Sequence, residues 1–145
     1  MKTEKFENVT ISYMRSIGEY GLKNMELMEK FKTFLKSQNL YNDDMILLGI
    51  ALDNPETVSP DKLRYDVGII SAETGIKGVD SRKIDDGTYA IFEVKHTQEG
   101  VRIFWGSMDI LSKEINIDFQ KPILERYTLD KINNHLCEFC IPLAE

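Results

Sequence analysis

Apolar and polar residues alternate along VTISYMRSI, where Val9, Ile11 and Tyr13 are set against Thr10, Ser12 and Ser16. A period of two puts the two sets on opposite faces of a strand. The period then lengthens. Leu22, Met25, Met28, Phe31 and Leu35 recur at helical spacing, which predicts a helix over 22–38 with that stripe as its core face. SQN at 37–39 ends it, and strands are predicted near 45–51 and 63–70. The same grammar then returns. GTYAIFEV reads as a strand, and Val101, Phe104, Met108, Leu111 and Ile115 form a second helical stripe. Strands near 122–128 and 136–143 close the chain.

This return has residue-level detail. Lys5 to Met14 (KFENVTISYM) lies over Lys83 to Phe92 (KIDDGTYAIF), LGIALDN is echoed by LERYTLD, and KLRYDVGII by HLCEFCIPL. Four features recurring in one order read as a tandem duplication. The expectation is one α+β domain over 1–145, with a first repeat of about 1–70 and a second of about 77–145. Each repeat is a strand-helix-strand-strand module. KTEKF can add a strand ahead of the first copy and KGVDSRKI ahead of the second, within the join from Ser71 to Gly87. A single helix covers only one side of its own sheet. Two modules side by side can extend the sheet or face each other across a groove, and loops and helix starts then line the cleft between the halves, where small-molecule sites form.

The loops add punctuation. Pro55 and Pro60 forbid regular structure in LDNPETVSPDKLRYD, and DNPE and SPDK read as loop and capping chemistry. The second half shortens this loop to TLDKINNHL. Asp85 and Asp86 before Gly87 read as a turn.

Composition narrows the classes. Of 145 residues, 42% are apolar and 29% charged, with net charge −6, as in ordinary globular proteins. A nucleic-acid surface needs a basic stripe that is missing here, so direct nucleic-acid binding is not expected. No apolar run approaches the ~20 residues of a membrane span, and MKTEKFENVT lacks a secretion-signal core. The expected location is cytoplasmic. Cys137 and Cys140 stand three apart in a strand, on opposite faces, and read as small packing residues. With His96 and His135 ungrouped, no metal and no cofactor are expected.

One carboxylate interrupts the apolar last strand. Cys137, Phe139 and Ile141 share one face; Glu138 and Cys140 share the other. If the first face meets the helix, Glu138 points into the groove, and Tyr65 falls opposite it when the two closing strands are superposed. The alternative is a solvent-facing Glu on a half-exposed sheet. Tyr65, Tyr89 and Tyr127 equally suit ordinary strand positions, and Trp105 flanks the helical stripe.

ISYMRSIGEYG, LDNPETVSPDKLRYDVGI, DDGTYAIFEVKH and the pair ERYTLD and CEFCIPL resemble the GyrI-like small-molecule-binding family, from about Phe6 to Leu143. That fold also serves as the effector-binding domain of AraC-type and multidrug-responsive bacterial transcription regulators. The resemblance implies a duplicated module with pseudo-twofold symmetry and a ligand groove between the halves. It places the family's acidic groove residue on Glu138. It puts the aromatic rim on Trp105, Tyr127 and Tyr65, with Tyr20 and Tyr13 as further candidates. The usual H-x-G-P-Y turn is SIGEYG here, and its second counterpart, KHTQEGV, lacks the aromatic. No helix-turn-helix precedes the domain, so a stand-alone version is expected.

Three functions follow from that resemblance. The first is binding of an amphipathic small molecule, cations included. The second is hydrolysis of a reactive natural-product electrophile, with Glu138 as general base. The third is contact with a protein partner, such as DNA gyrase or a regulator. Binding ranks first, so the chain is not firmly expected to be an enzyme.

Overall fold

Two short connectors dictate the shape of the sheet. The computed structural model describes residues 1–71 and 75–145. Its strands are β1 (Lys2–Phe6), β2 (Thr10–Ile17), β3 (Leu47–Ala51), β4 (Arg64–Ile70), β5 (Asp80–Lys83), β6 (Gly87–Lys95), β7 (Leu124–Tyr127) and β8 (Leu136–Pro142). Among the described residues these pair antiparallel in the order β1-β6-β8-β7-β3-β4-β2-β5. β1 therefore lies at one edge and β2 next to the other. Six strand spacings of ~4.8 Å would separate them by ~29 Å if the sheet were flat. The four Cα steps from Phe6 to Thr10 reach only ~15 Å, so the sheet must curl. The link from Lys83 to Gly87 makes the return crossing. The two links pin each other: Asn8 N–H donates to Asp86 Oδ1 at 2.9 Å, Lys83 Nζ to Asn8 Oδ1 at 2.7 Å, and Ile84 N–H to the Val9 carbonyl at 3.0 Å.

The curl encloses one of two cores. Phe6, Ile11, Leu48, Ile50, Ile84, Tyr89, Ile91, Leu124 and Cys140 fill the face toward the links. The helices α1 (Leu22–Ser37), α2 (Gln98–Gly106), α3 (Met108–Glu114) and α4 (Leu129–Asn133) serve the other face. There Leu27, Phe31, Leu35, Leu47, Val67, Phe104, Phe139 and Ile141 form the larger core. Cys137 and Cys140 are fully buried in different cores, as their odd spacing requires. Burial pushes each thiol up to about 12, so both are inert packing groups.

Several expectations are corrected. KTEKF and part of KGVDSRKI do form strands, but each pairs outside its own half: β1 with β6, and β5 with β2. Residues 72–74 of the join lie outside the described residues. In α1 the buried stripe is Leu27, Phe31 and Leu35, while Leu22 and Met25 are exposed. The first turn overhangs a hollow instead of the sheet, so nothing covers it. The second helix is two. Gly106 and Ser107 are poor helix formers, and the Ser107 hydroxyl donates to the Phe104 carbonyl at 2.6 Å, which ends α2 before α3 begins. Within TLDKINNHL the five residues of α4 form a helix. Thr128 caps it, accepting from Lys131 N–H at 3.3 Å.

Candidate functional site

The principal helix–sheet contacts place α1 over β2 and β4, α2 over β6 and α4 over β8. The central pair, β3 and β7, lies between them. Its helix-side residues are Leu47, Gly49 and Ala51 on β3 with Glu125 and Tyr127 on β7, and Gly49 stands directly opposite Glu125. Two cavities open over this pair. The first, about 560 Å³, is lined by Tyr20, Asn24, the 51–55 loop, Tyr65, Trp105, residues 117–123 and Glu125. The second, about 410 Å³, is lined by residues of α1 together with Tyr65, His96, Glu125, Tyr127, Ile132 and His135. Asn24, Tyr65 and Glu125 belong to both. The cavities are thus two arms of one groove that meet at Glu125, and both halves of the chain contribute walls.

Glu125 sits on the floor, half-buried, where the two arms meet. Tyr127 donates its hydroxyl to Glu125 Oε2 at 2.6 Å, and the Tyr65 hydroxyl hydrogen-bonds the same carboxyl group. Desolvation raises the carboxyl above its usual range, and the two hydroxyls only partly offset this. No cationic side chain among the described residues forms an ion pair with it. Burial, with the acid beside it, pushes both phenols upward, so Tyr65 and Tyr127 remain donors at neutral pH. Gly49 makes this packing feasible, because a Cβ there would overlap the Tyr65 hydroxyl.

Aromatics form the walls. Phe104 stacks on Phe139 at 4.1 Å between centroids, and Trp105 stands edge-on to both at 5.4 Å. Trp105 remains 45% exposed and faces the first cavity. Tyr20 meets Tyr65 edge-on at 6.4 Å. Its hydroxyl donates to the Arg64 carbonyl at 2.8 Å and accepts from Asp53 N–H at 3.1 Å. That clamps the loop after β3. Asp53 in turn holds Arg64 through its backbone and side chain, and this guanidinium lowers the Asp53 carboxyl. The DNPE segment therefore does perform loop chemistry, including an Asn54 Oδ1 that accepts from Glu56 N–H at 2.9 Å.

Tyr65, Tyr127, Trp105 and Tyr20 converge on the groove, but Glu138 and Tyr13 do not. The face of β8 carrying Cys137, Phe139 and Ile141 meets the helical side. The groove lies on that same side, between the helices, so Glu138 points away from it. Glu138 is 7% exposed and accepts from Arg126 Nε at 3.0 Å, while Arg126 also grips Glu4 at 2.6 Å. Tyr65 consequently does not face Glu138. The acid that shares Glu138's face from β4 is Asp66, fully buried between Arg15 and Arg82 at 2.7 and 2.8 Å. Tyr13 stacks under those two guanidinium groups.

Sequence reasoning passed over Glu125, although the signal was present. It stands two residues before Tyr127, on the same face of one strand. The histidines also come together: both line the second cavity, and His96 N–H donates to the His135 carbonyl at 2.7 Å. Among the described residues no group of His, Cys, Asp and Glu could hold a metal ion, and no helix is long and apolar enough to cross a membrane.

Known proteins share this architecture. "SPbeta prophage-derived putative transcriptional regulator YosT" of Bacillus subtilis (strain 168) is 37% identical over 144 residues, covering 97% of this chain and 96% of its own. The structure of SAV2435 bound to tetraphenylphosphonium superposes with a TM-score of 0.66 at 14% identity, over 99% of this chain and 93% of that one. The C-terminal domain of EcmrR gives 0.71 at 9% identity, over 99% and 96%. At those identities the two structures establish the fold alone. The family described as "GyrI-like small molecule binding domain" matches residues 1–144, and with YosT this places the chain in the GyrI-like small-molecule-binding family.

Proposed function

We propose that this chain binds an amphipathic organic cation in the groove over β3 and β7, with Glu125 as the counter-charge. The observation that carries the reading is a carboxylate on an aromatic-walled floor whose only side-chain partners among the described residues are tyrosine hydroxyls. A cation arriving there restores the charged form that desolvation disfavours. Tyr65, Tyr127, Trp105 and Tyr20 supply ring faces and edges, each worth ~1–2 kcal/mol to a desolvated cation. Asn24 adds a second cue. Its Oδ1 is buried with no hydrogen-bond partner, and the residue lines both arms. A native orphan acceptor beside a groove suits a ligand that brings a donor. The bound tetraphenylphosphonium of SAV2435 is a lipophilic cation of the class proposed here. The duplicated origin of the two halves fits the near-symmetric strand order and belongs to the same reading.

Calorimetric titration with tetraphenylphosphonium tests it. Glu125→Gln keeps the tyrosine hydrogen bonds and removes the charge. Affinity should fall at least about tenfold, ~1.4 kcal/mol, and an unchanged affinity would end the proposal. A hydrolytic reading moves to Glu125, whose raised carboxyl suits a general base.

A further inference from the structure

The two arms of the groove differ in charge. Glu125 belongs to both; the first adds Asp53, Asp118 and Lys121, and the second adds Glu29. The second also gathers Lys32, His96 and His135, from α1, the end of β6 and the end of α4. We propose that Lys32, His96 and His135 form an anion-accepting subsite, so that the preferred ligand is zwitterionic, with its cation at Glu125 and an acidic group in the second arm. This rests on the cation reading above.

Geometry sets the spacing. Glu125 Oε2 is 2.6 Å from the Tyr127 hydroxyl, which is 3.4 Å from His96 Nε2. The His96 ring stands edge-on to Tyr127 at 5.2 Å. The wall of Lys32, His96 and His135 therefore begins one phenol away from the carboxylate. A rigid ligand with opposite charges separated by an aromatic ring spans that interval. The backbone clip from His96 N–H to the His135 carbonyl keeps both imidazoles at this end.

His135 holds its place at φ 55°, directly after α4, where glycine is the easy residue. The basic groups crowd one another: burial, then Lys32, then His135 lower the His96 imidazole. An anion beside them pairs with the Lys32 ammonium and accepts an imidazole N–H. The groups facing His96 are Lys32 and Glu29 from α1, Tyr127 and Glu125 from β7, and His135 after α4. Glu29 is the competing acid. It reaches Lys32 at 3.4 Å but is 75% exposed, so an incoming carboxylate displaces it at little cost. Met25, Met28 and Ile132 complete the arm with apolar wall.

Two dyes with one chromophore provide the test. Rhodamine 6G is a cationic ester, and rhodamine 19 is the same xanthylium with a free carboxylate. Both are titrated by fluorescence anisotropy at pH 7. Rhodamine 19 should bind about three- to fivefold more tightly, the scale of a partly exposed ion pair. That ratio should collapse toward one in Lys32→Ala and in His96→Gln, two variants whose folding is checked by circular dichroism. Glu125→Gln should weaken both dyes together. Equal affinities in the wild type, with Glu125→Gln still weakening both, overturn the anion subsite and leave the cation reading standing. Rhodamine 6G affinity unmoved by Glu125→Gln overturns the cation reading, and the zwitterion inference falls with it.

Discussion

Tyr127 and Glu125 project from one face of β7, and the Tyr127 hydroxyl donates to the Glu125 carboxylate at 2.6 Å. This bond holds an acid on the floor of a groove that offers it no counter-ion among the described residues. Stability and binding are opposed at this position.

The Glu125→Gln variant should be more stable than the wild type at neutral pH. The folded-state carboxyl is raised from its ordinary value of 4.5, so the folded protein holds this proton more tightly than the unfolded chain. Stability from that proton is present below pH 4.5 and is lost as pH rises through the raised value. Thermal melts of the two proteins should coincide in acid and diverge upward from pH 4.5, with the variant melting higher. A wild type that melts higher at pH 7 contradicts the assignment.

Glu138→Ala should behave in the opposite way. It removes one partner of Arg126, which keeps Glu4, and it leaves both cavities untouched. A loss of about 1–3 kcal/mol in urea unfolding is expected, with tetraphenylphosphonium affinity unchanged. Loss of binding without loss of stability would return Glu138 to the site.

Gly49→Ala tests the floor. The added methyl collides with the Tyr65 hydroxyl, and Tyr65 is buried on β4. Overpacking of this kind costs about 1–3 kcal/mol. Displacing Tyr65 should also weaken binding of a cationic dye, read by anisotropy. Wild-type stability and wild-type affinity together would show that the floor is looser than the geometry indicates.

Asn24→Leu probes the orphan acceptor. Since Oδ1 has no partner to lose, unfolding free energy should stay within about 0.5 kcal/mol of the wild type or rise. Rhodamine 6G, which carries N–H donors, should bind less well. Tetraphenylphosphonium has none and should show a smaller change. Equal effects on both probes would mean that Asn24 acts only through shape.

His96 should titrate below 6.5 by NMR, chiefly because it is buried, with Lys32 and His135 adding repulsion. Stability from keeping this imidazole neutral is present above 6.5 and is lost as pH falls through the lowered value. Lys32→Ala should move the titration upward. A His96 titrating above 6.5 in the wild type rules out this crowding.

Period and punctuation alone specified much of this protein. Alternation around Val9 to Tyr13 and around Cys137 to Ile141 marked strands and their faces, because neighbouring strand residues must point apart. The spacing of Phe31 and Leu35 marked a helix, and Cys137 and Cys140 separated into two cores for the same reason of parity. Parity says which residues share a face, but it does not say what that face meets. Only the tertiary structure decided that β1 would cross to β6 and β5 to β2, since edge pairing is a long-range choice set by two short links. Only it decided that the helices would stand apart over β3 and β7, opening the groove on the side of Glu125 and Tyr127 and leaving Glu138 to Arg126 on the other. A carboxylate lines the groove or braces the opposite face according to which side of one sheet is left uncovered, and that depends on contacts between residues far apart in the chain.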